Sequence, residues 1–130
     1  MNSVFNDLLL VKKYVDNHQL NKAEKMLKNI LKNVKEENIR TFISIKLARI
    51  QLQNNQIKKA LSTLNQIKLH GWNGLINLIR GDIFLKNNQI KESILMYSQG
   101  IKDSEFDAIK YILNIKLNRV SNYQGIKNEK

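Results

Sequence analysis

Cysteine and proline are both absent from this chain of 130 residues. Without cysteine there is no disulfide, no thiolate nucleophile and no Cys-based zinc or iron–sulfur site. A cysteine-free chain is equally at home in an oxidising or a reducing compartment. The lack of proline suits helices joined by tight turns, because proline removes a backbone donor and breaks helix interiors. Only five glycines occur, and they are scattered, so no Gly-rich loop to cradle phosphates can be assembled. Long apolar runs are missing as well: Leu8-Leu9-Leu10-Val11 is cut off at once by Lys12 and Lys13, and a bilayer-spanning helix needs about 20 apolar residues. The start does not have the layout of a secretory signal, since Asn2, Asn6 and Asp7 precede that very short run and no small-residue cleavage site follows.

A catalytic constellation needs converging groups with matched roles, and none can be built. His18 and His70 fall in separate turns with no acidic or histidine partner at ligand spacing, so both are expected to be surface turn residues and no metal or cofactor is expected. Glu36-Glu37 is better placed as acidic residues at the start of a helix, favoured by its dipole, than as an acid/base pair. The chain is expected not to be an enzyme.

What the chain does have is an internal repeat. Asn54-Asn55-Gln56-Ile57-Lys58 recurs unchanged as Asn87-Asn88-Gln89-Ile90-Lys91, and Asn17-His18-Gln19-Leu20-Asn21-Lys22-Ala23 is a looser third copy. A long apolar-periodic segment precedes each copy and a shorter one follows, so the motif reads as a helix-to-helix turn. Asn tolerates the left-handed conformation that ends a helix. A small residue then follows at a fixed offset, Ala23, Ala60 and Ser93, letting the second helix lie close against the first. That arrangement, at a period near 34, is tetratricopeptide-like.

Periodicity predicts seven helices over 3–16, 20–33, 36–53, 57–69, 73–86, 90–101 and 104–120. In the third, Ile39, Phe42, Ile43, Ile45, Leu47, Ala48, Ile50 and Leu52 cover more than one narrow stripe, as expected for a helix with neighbours on two sides. Gly71 is expected to stop the fourth helix, and Ser104 or Asp103 to cap the seventh. The seventh, with Phe106, Ile109, Ile112, Leu113, Ile115, Leu117 and Val120, is expected to pack over the last pair. Trp72 is expected to wedge a junction between helix pairs, an exposed anchor for a ligand being the alternative. Gly81, inside Arg80-Gly81-Asp82, costs about 1 kcal/mol relative to Ala in a helix, so close helix contact is expected there. The expected fold class is all-α: a tetratricopeptide-like stack of about three antiparallel helix pairs plus a C-terminal capping helix, with one domain over 1–120 and a tail over 121–130.

The formal net charge is +11 and the pI near 9.9, which raises nucleic acid or an anionic membrane surface as partners. Lys, Asn and Ile together make up about two-fifths of the chain, far above ordinary usage, and all three have A/T-rich codons. Codon bias with solvated surface charge is therefore the simpler source. A basic helical-repeat nucleic-acid-binding protein is the rival reading, but aromatic content of 7% is mostly spent on core positions and supplies no base-stacking series. A free cytosolic adaptor of the same fold is the third.

The chain resembles the family of ancillary subunits of the bacterial SecYEG translocon. The resemblance is carried by Tyr14-Val15-Asp16-Asn17 with Ala23, by Lys46-Leu47-Ala48-Arg49-Ile50-Gln51 with Ala60-Leu61-Ser62-Thr63-Leu64-Asn65-Gln66-Ile67-Lys68, and above all by Gly71-Trp72 followed by Leu78-Ile79-Arg80-Gly81-Asp82. It reaches the last helix at Lys116-Leu117-Asn118. It implies a tetratricopeptide-like domain on the periplasmic side of the inner membrane, partnered by SecYEG and by a periplasmic chaperone of the prolyl-isomerase type, and assisting exported proteins. The N-terminal membrane anchor of such proteins is not among these residues, so a cytoplasmic location is expected instead if Met1 is the native start.

In a stack of this kind the first helix of each pair lines a concave surface. By register with the repeat, Lys12, Arg49 and Asp82 occupy one equivalent column, with Phe42, Leu75 and Leu78 nearby. A partner segment is expected on these six residues. The alternative is that Arg49 and Asp82 only bridge neighbouring helices.

Overall fold

Each of the three repeated motifs closes a helix pair with the same backbone device. One residue takes a positive φ, His18 at 59°, Asn55 at 62° and Asn88 at 61°, which in an L-residue is tolerated best by short polar side chains. The next residue then reaches back across the end of the helix: the Gln19 N–H donates to the Tyr14 carbonyl at 2.7 Å, Gln56 to Gln51 at 2.8 Å and Gln89 to Phe84 at 2.8 Å. This is the bond that satisfies carbonyls left over at a helix C-terminus. The carbonyl of each of these glutamines accepts from the small residue four positions on, Ala23, Ala60 or Ser93, and so opens the following helix.

A computed structural model describes the backbone of residues 2–129 and the side chains of residues 4–122. Among the described residues there are seven α-helices and no strand: α1 (Asn2–Asp16), α2 (Leu20–Asn33), α3 (Glu37–Gln53), α4 (Ile57–Asn65), α5 (Asn73–Lys86), α6 (Ile90–Asp103) and α7 (Asp107–Glu129). A single tight turn of 3₁₀ helix, His70–Trp72, precedes α5. None of these helices is long and apolar enough to cross a membrane. The expected all-α fold of helix pairs followed by a seventh helix is what is found.

The chain divides into two compact units, Met1–Leu69 and His70–Lys130. In the first, α1 pairs with α2, α3 with α4, and α2 packs against α3. Its core holds Val11, Ala23, Leu27, Ile30, Ile43, Leu47 and Ile50. Arg40 fastens the α2–α3 corner by donating from Nη1 to the carbonyls of Leu31 and Val34. In the second unit α5 pairs with α6, and α7 packs against both. Ile79, Ile83, Tyr97 and Leu113 are fully buried there.

The small residues do what their positions predict. Ala23, Ala60 and Ser93 are completely buried, and the Ser93 hydroxyl donates to the Gly81 carbonyl at 2.9 Å, which satisfies the one polar group the position carries. Gly81 faces the Tyr97 ring so closely that a Cβ would overlap Cε1 and Cδ1, the close helix approach expected of it. Tyr97 crosses toward α5 and donates its hydroxyl to Asp82, which also accepts from Lys116 of α7 at 3.0 and 3.2 Å. Burial, the hydrogen bond to Asp82 and that carboxylate's charge push the Tyr97 phenol above the ordinary tyrosine range.

Four details depart from expectation. Helix α4 ends at Asn65 and not at Gly71, because Gln66 and Ile67 bond back to Thr63 and Leu64 over three residues and tighten the last turn. Glu36 lies outside α3 as its N-cap, its carboxylate accepting from the N–H groups of Asn38 and Ile39 at 3.1 and 2.8 Å. Ser104 closes α6 with an extended backbone and does not sit at the first turn of α7, which begins at Asp107. The expected tail over 121–130 is helical through Glu129, no proline being present to stop it. Lys130 lies outside the described residues.

Replacing Gly81 by Ala gains about 1 kcal/mol of helix propensity but must displace a fully buried Tyr97 ring, an overpacking cost of about 1–3 kcal/mol. Urea unfolding of Gly81→Ala is expected to show a lowered midpoint at an unchanged slope. A midpoint above that of the natural chain would contradict the packing described.

Candidate functional site

Helices α1 and α3 are the first members of consecutive pairs, and α2 packs against both. Their backbones do not approach one another, so the side chains facing the gap line a groove. Its floor is apolar and recessed: Val11, Ile43 and Ile50 are buried. Phe5 and Leu9 rise from α1, and Ile39 and Phe42 from α3. Phe5 is 63% exposed and Phe42 40%, and with Ile39 they wall one apolar hollow.

The groove consists of two hollows, of ≈ 350 and ≈ 360 Å³, which share Phe5 and Leu8. The first is walled by Phe5, Ile39 and Phe42. The second carries the cations Lys12, Lys46 and Arg49 beside Leu9 and Val15. Lys46 Nζ stands 5.1 Å from the centre of the Phe42 ring, within cation–π range. No acidic residue lines either hollow, and among the described residues the ion pairs are Lys28–Glu24 and Lys116–Asp82. The three cations therefore have no ion-pair partner within the described residues.

Of the six residues expected to meet a partner, Lys12, Phe42 and Arg49 do come together in this groove. The other three lie in the second unit and have different surroundings. Leu75 lines a separate apolar hollow of ≈ 530 Å³ with Gly71, the half-buried Trp72, Ser104, Phe106 and Ile109. Leu78 is 4% exposed and presents no surface to a partner, since its place on the apolar face of α5 is buried. Asp82 is held by Tyr97 and Lys116, so the bridging alternative describes it, whereas Arg49 forms no ion pair among the described residues. His18 and His70 are exposed in their turns.

Sequence reasoning passed over Phe5, Leu9 and Lys46 as groove residues. The signal was present: Phe5, Leu9 and Lys12 share one face of α1 at i, i+4 and i+7, and Phe42, Lys46 and Arg49 share the equivalent face of α3. The broad apolar stripe of the third helix, with Ile39 and Phe42 in it, also exceeded what one pair needs to bury.

Chemically the groove offers apolar contact and three cations with no ion-pair partner among the described residues, one of them, Lys46, set against an aromatic face. It contains no nucleophile or paired acid and base, and no group of three metal-ligating side chains occurs among the described residues.

A family model described as a tetratricopeptide repeat-like domain matches residues 2–122. Proteins named ancillary SecYEG translocon subunit are similar over most of the chain. The one from Buchnera aphidicola subsp. Acyrthosiphon pisum is 40% identical over 113 residues, 87% of this chain and 58% of the relative. That from Buchnera aphidicola subsp. Schizaphis graminum is 37% identical over the same shares, and that from Escherichia coli 31% identical over 88% of this chain and 55% of the relative. The chain thus spans just over half the length of the relatives it matches. No solved structure gives a significant match.

The division of the six residues between surface and core is measurable as stability. Leu78→Ala is expected to cost about 2–5 kcal/mol, as a buried leucine does, while Lys12→Ala and Arg49→Ala are each expected to stay within about 0.5 kcal/mol of the natural chain. Chemical unfolding of the three variants checks this, and a large loss at Arg49 would mean that it supports the fold.

Proposed function

This chain belongs to the tetratricopeptide repeat-like domain family, and from that premise we propose that it acts by binding other proteins, as the interaction domain of an ancillary Sec translocon subunit. The observation that carries the reading is the groove between α1 and α3, where Phe5 and Phe42 stay exposed over a buried apolar floor. Exposed rings are not confined to this groove, since Phe106 and Tyr111 are as open, but here they flank a recessed apolar floor, and aromatic anchors in such a setting are what protein interfaces are built around. The names of the relatives support the translocon as the partner. A non-enzymatic domain beside the translocon holds segments of SecYEG, of a periplasmic prolyl-isomerase-type chaperone or of exported chains, on the periplasmic side of the inner membrane.

The +11 charge keeps nucleic acid as the competing ligand. The two differ in salt dependence, because binding to a phosphate backbone releases counterions and weakens steeply as salt rises.

Titrating this chain, carrying a fluorescent label, into SecYEG of its own source in lipid nanodiscs tests the proposal. Saturable binding is expected at physiological salt, weakened at least tenfold when Phe5→Asp and Phe42→Asp are combined in a chain whose helical circular dichroism is unchanged. Absence of binding to SecYEG together with tight, salt-sensitive retention of RNA or DNA would overturn it.

A further inference from the structure

The groove changes character along its length, and it does so identically on both walls. On α1 the aromatic Phe5 is followed seven residues later by Lys12; on α3 Phe42 is followed seven residues later by Arg49. The two pairs are also repeat equivalents, each separated by the same interval as Asn17 and Asn54 in the turns. Seven helical residues advance about 10 Å. Both helices therefore set an aromatic ring at one level of the groove and a cation about 10 Å further toward their C-terminal ends. Lys46, between Phe42 and Arg49, also lines the second hollow, but its ammonium stands 5.1 Å from the Phe42 ring centre and so lies between the two levels.

The third repeat breaks the series. At the positions equivalent to Phe42 and Arg49 stand Leu75 and Asp82, and Asp82 is held inside the second unit by Lys116 and Tyr97. The aromatic-then-cation pattern is thus confined to α1 and α3, where the cations lack ion-pair partners among the described residues and no carboxylate lines the hollows.

Resting on the protein-binding reading, we infer that this groove selects an acidic, apolar protein segment of defined polarity. A large apolar side chain of the segment seats between Phe5 and Phe42, and its carboxylates lie about 10 Å away between Lys12 and Arg49. Carboxylates there complete charges the fold leaves open, and Arg49 presents the planar fork that pairs bidentately with a carboxylate. An anionic bilayer has the same two chemistries, but the apolar floor of Val11, Ile43 and Ile50 is recessed between two walls. A flat headgroup surface cannot reach it, and a single chain can.

A charge swap tests this. The probe is a synthetic helix-forming peptide with Leu-Phe near one end and three Glu one and a half to two turns further on; its counterpart has Lys in place of Glu. The proteins are the natural chain and a variant combining Lys12→Glu and Arg49→Glu, with retained helical circular dichroism. The expected result is that the acidic peptide binds the natural chain and loses at least tenfold on the reversed one, while the Lys peptide shows the opposite preference. Phe42→Asp is expected to weaken both combinations.

Equal binding of the two peptides to both proteins overturns the inference, and so does a preference for phosphatidylglycerol vesicles over the acidic peptide by the natural chain. If SecYEG binding persists unchanged in the reversed variant, the protein-binding reading stands and the groove's selectivity is refuted. If the peptides exchange as expected while SecYEG does not bind, the selectivity stands and the translocon is the wrong partner.

Discussion

The turn that closes each helix pair is the constraint from which the rest of the fold follows. A left-handed residue at 18, 55 or 88 sends the chain back along the helix it has just left, and a fully buried Ala or Ser lets the returning helix come close. The second helix then covers one face of the first, and only one. In the first unit α2 packs on both α1 and α3, so the outer faces of those two helices are left to line a groove that no element of the unit fills. A recessed surface is thus a by-product of how the pairs close, and the side chains placed on it decide its chemistry.

The same register has been given two uses. In the first unit it carries Lys12 and Arg49, cations with no ion-pair partner among the described residues. In the second it carries Asp82, which ties α7 to the last pair through Lys116 and Tyr97. An ion pair this exposed contributes little by itself, but joined to a buried phenol it fixes where α7 lies. Reading a repeat column as uniform would miss that one copy binds inward and two face out.

Helix number, pairing and turn chemistry were legible in the sequence because each rests on local rules: period, left-handed tolerance of Asn, and small residues at a fixed offset. The close approach at Gly81 was legible for the same reason, since a helical glycine without a packing partner is only a cost. The end of α4 was not, because backbone bonds over three residues decide it, and nor was the cap at Ser104, whose N–H closes α6 on the Gly100 carbonyl; neither leaves a mark on hydrophobic period. The groove was half legible. Lys12, Phe42 and Arg49 could be placed by register, but burial of Leu78 and pairing of Asp82 depend on α7 and the packing around α5, which repeat register does not report.

The central claim is that the α1–α3 face meets the partner in the cell, and in vivo photo-crosslinking tests it most directly. A photoreactive phenylalanine analogue in place of Phe42 is compared with the same analogue in place of Leu95, an exposed apolar residue of α6 in the second unit that is 60% accessible. A discrete crosslinked band containing a Sec translocon component or its chaperone is expected from position 42 and none from position 95. Crosslinks of equal yield at both positions, or at position 95 alone, would contradict it.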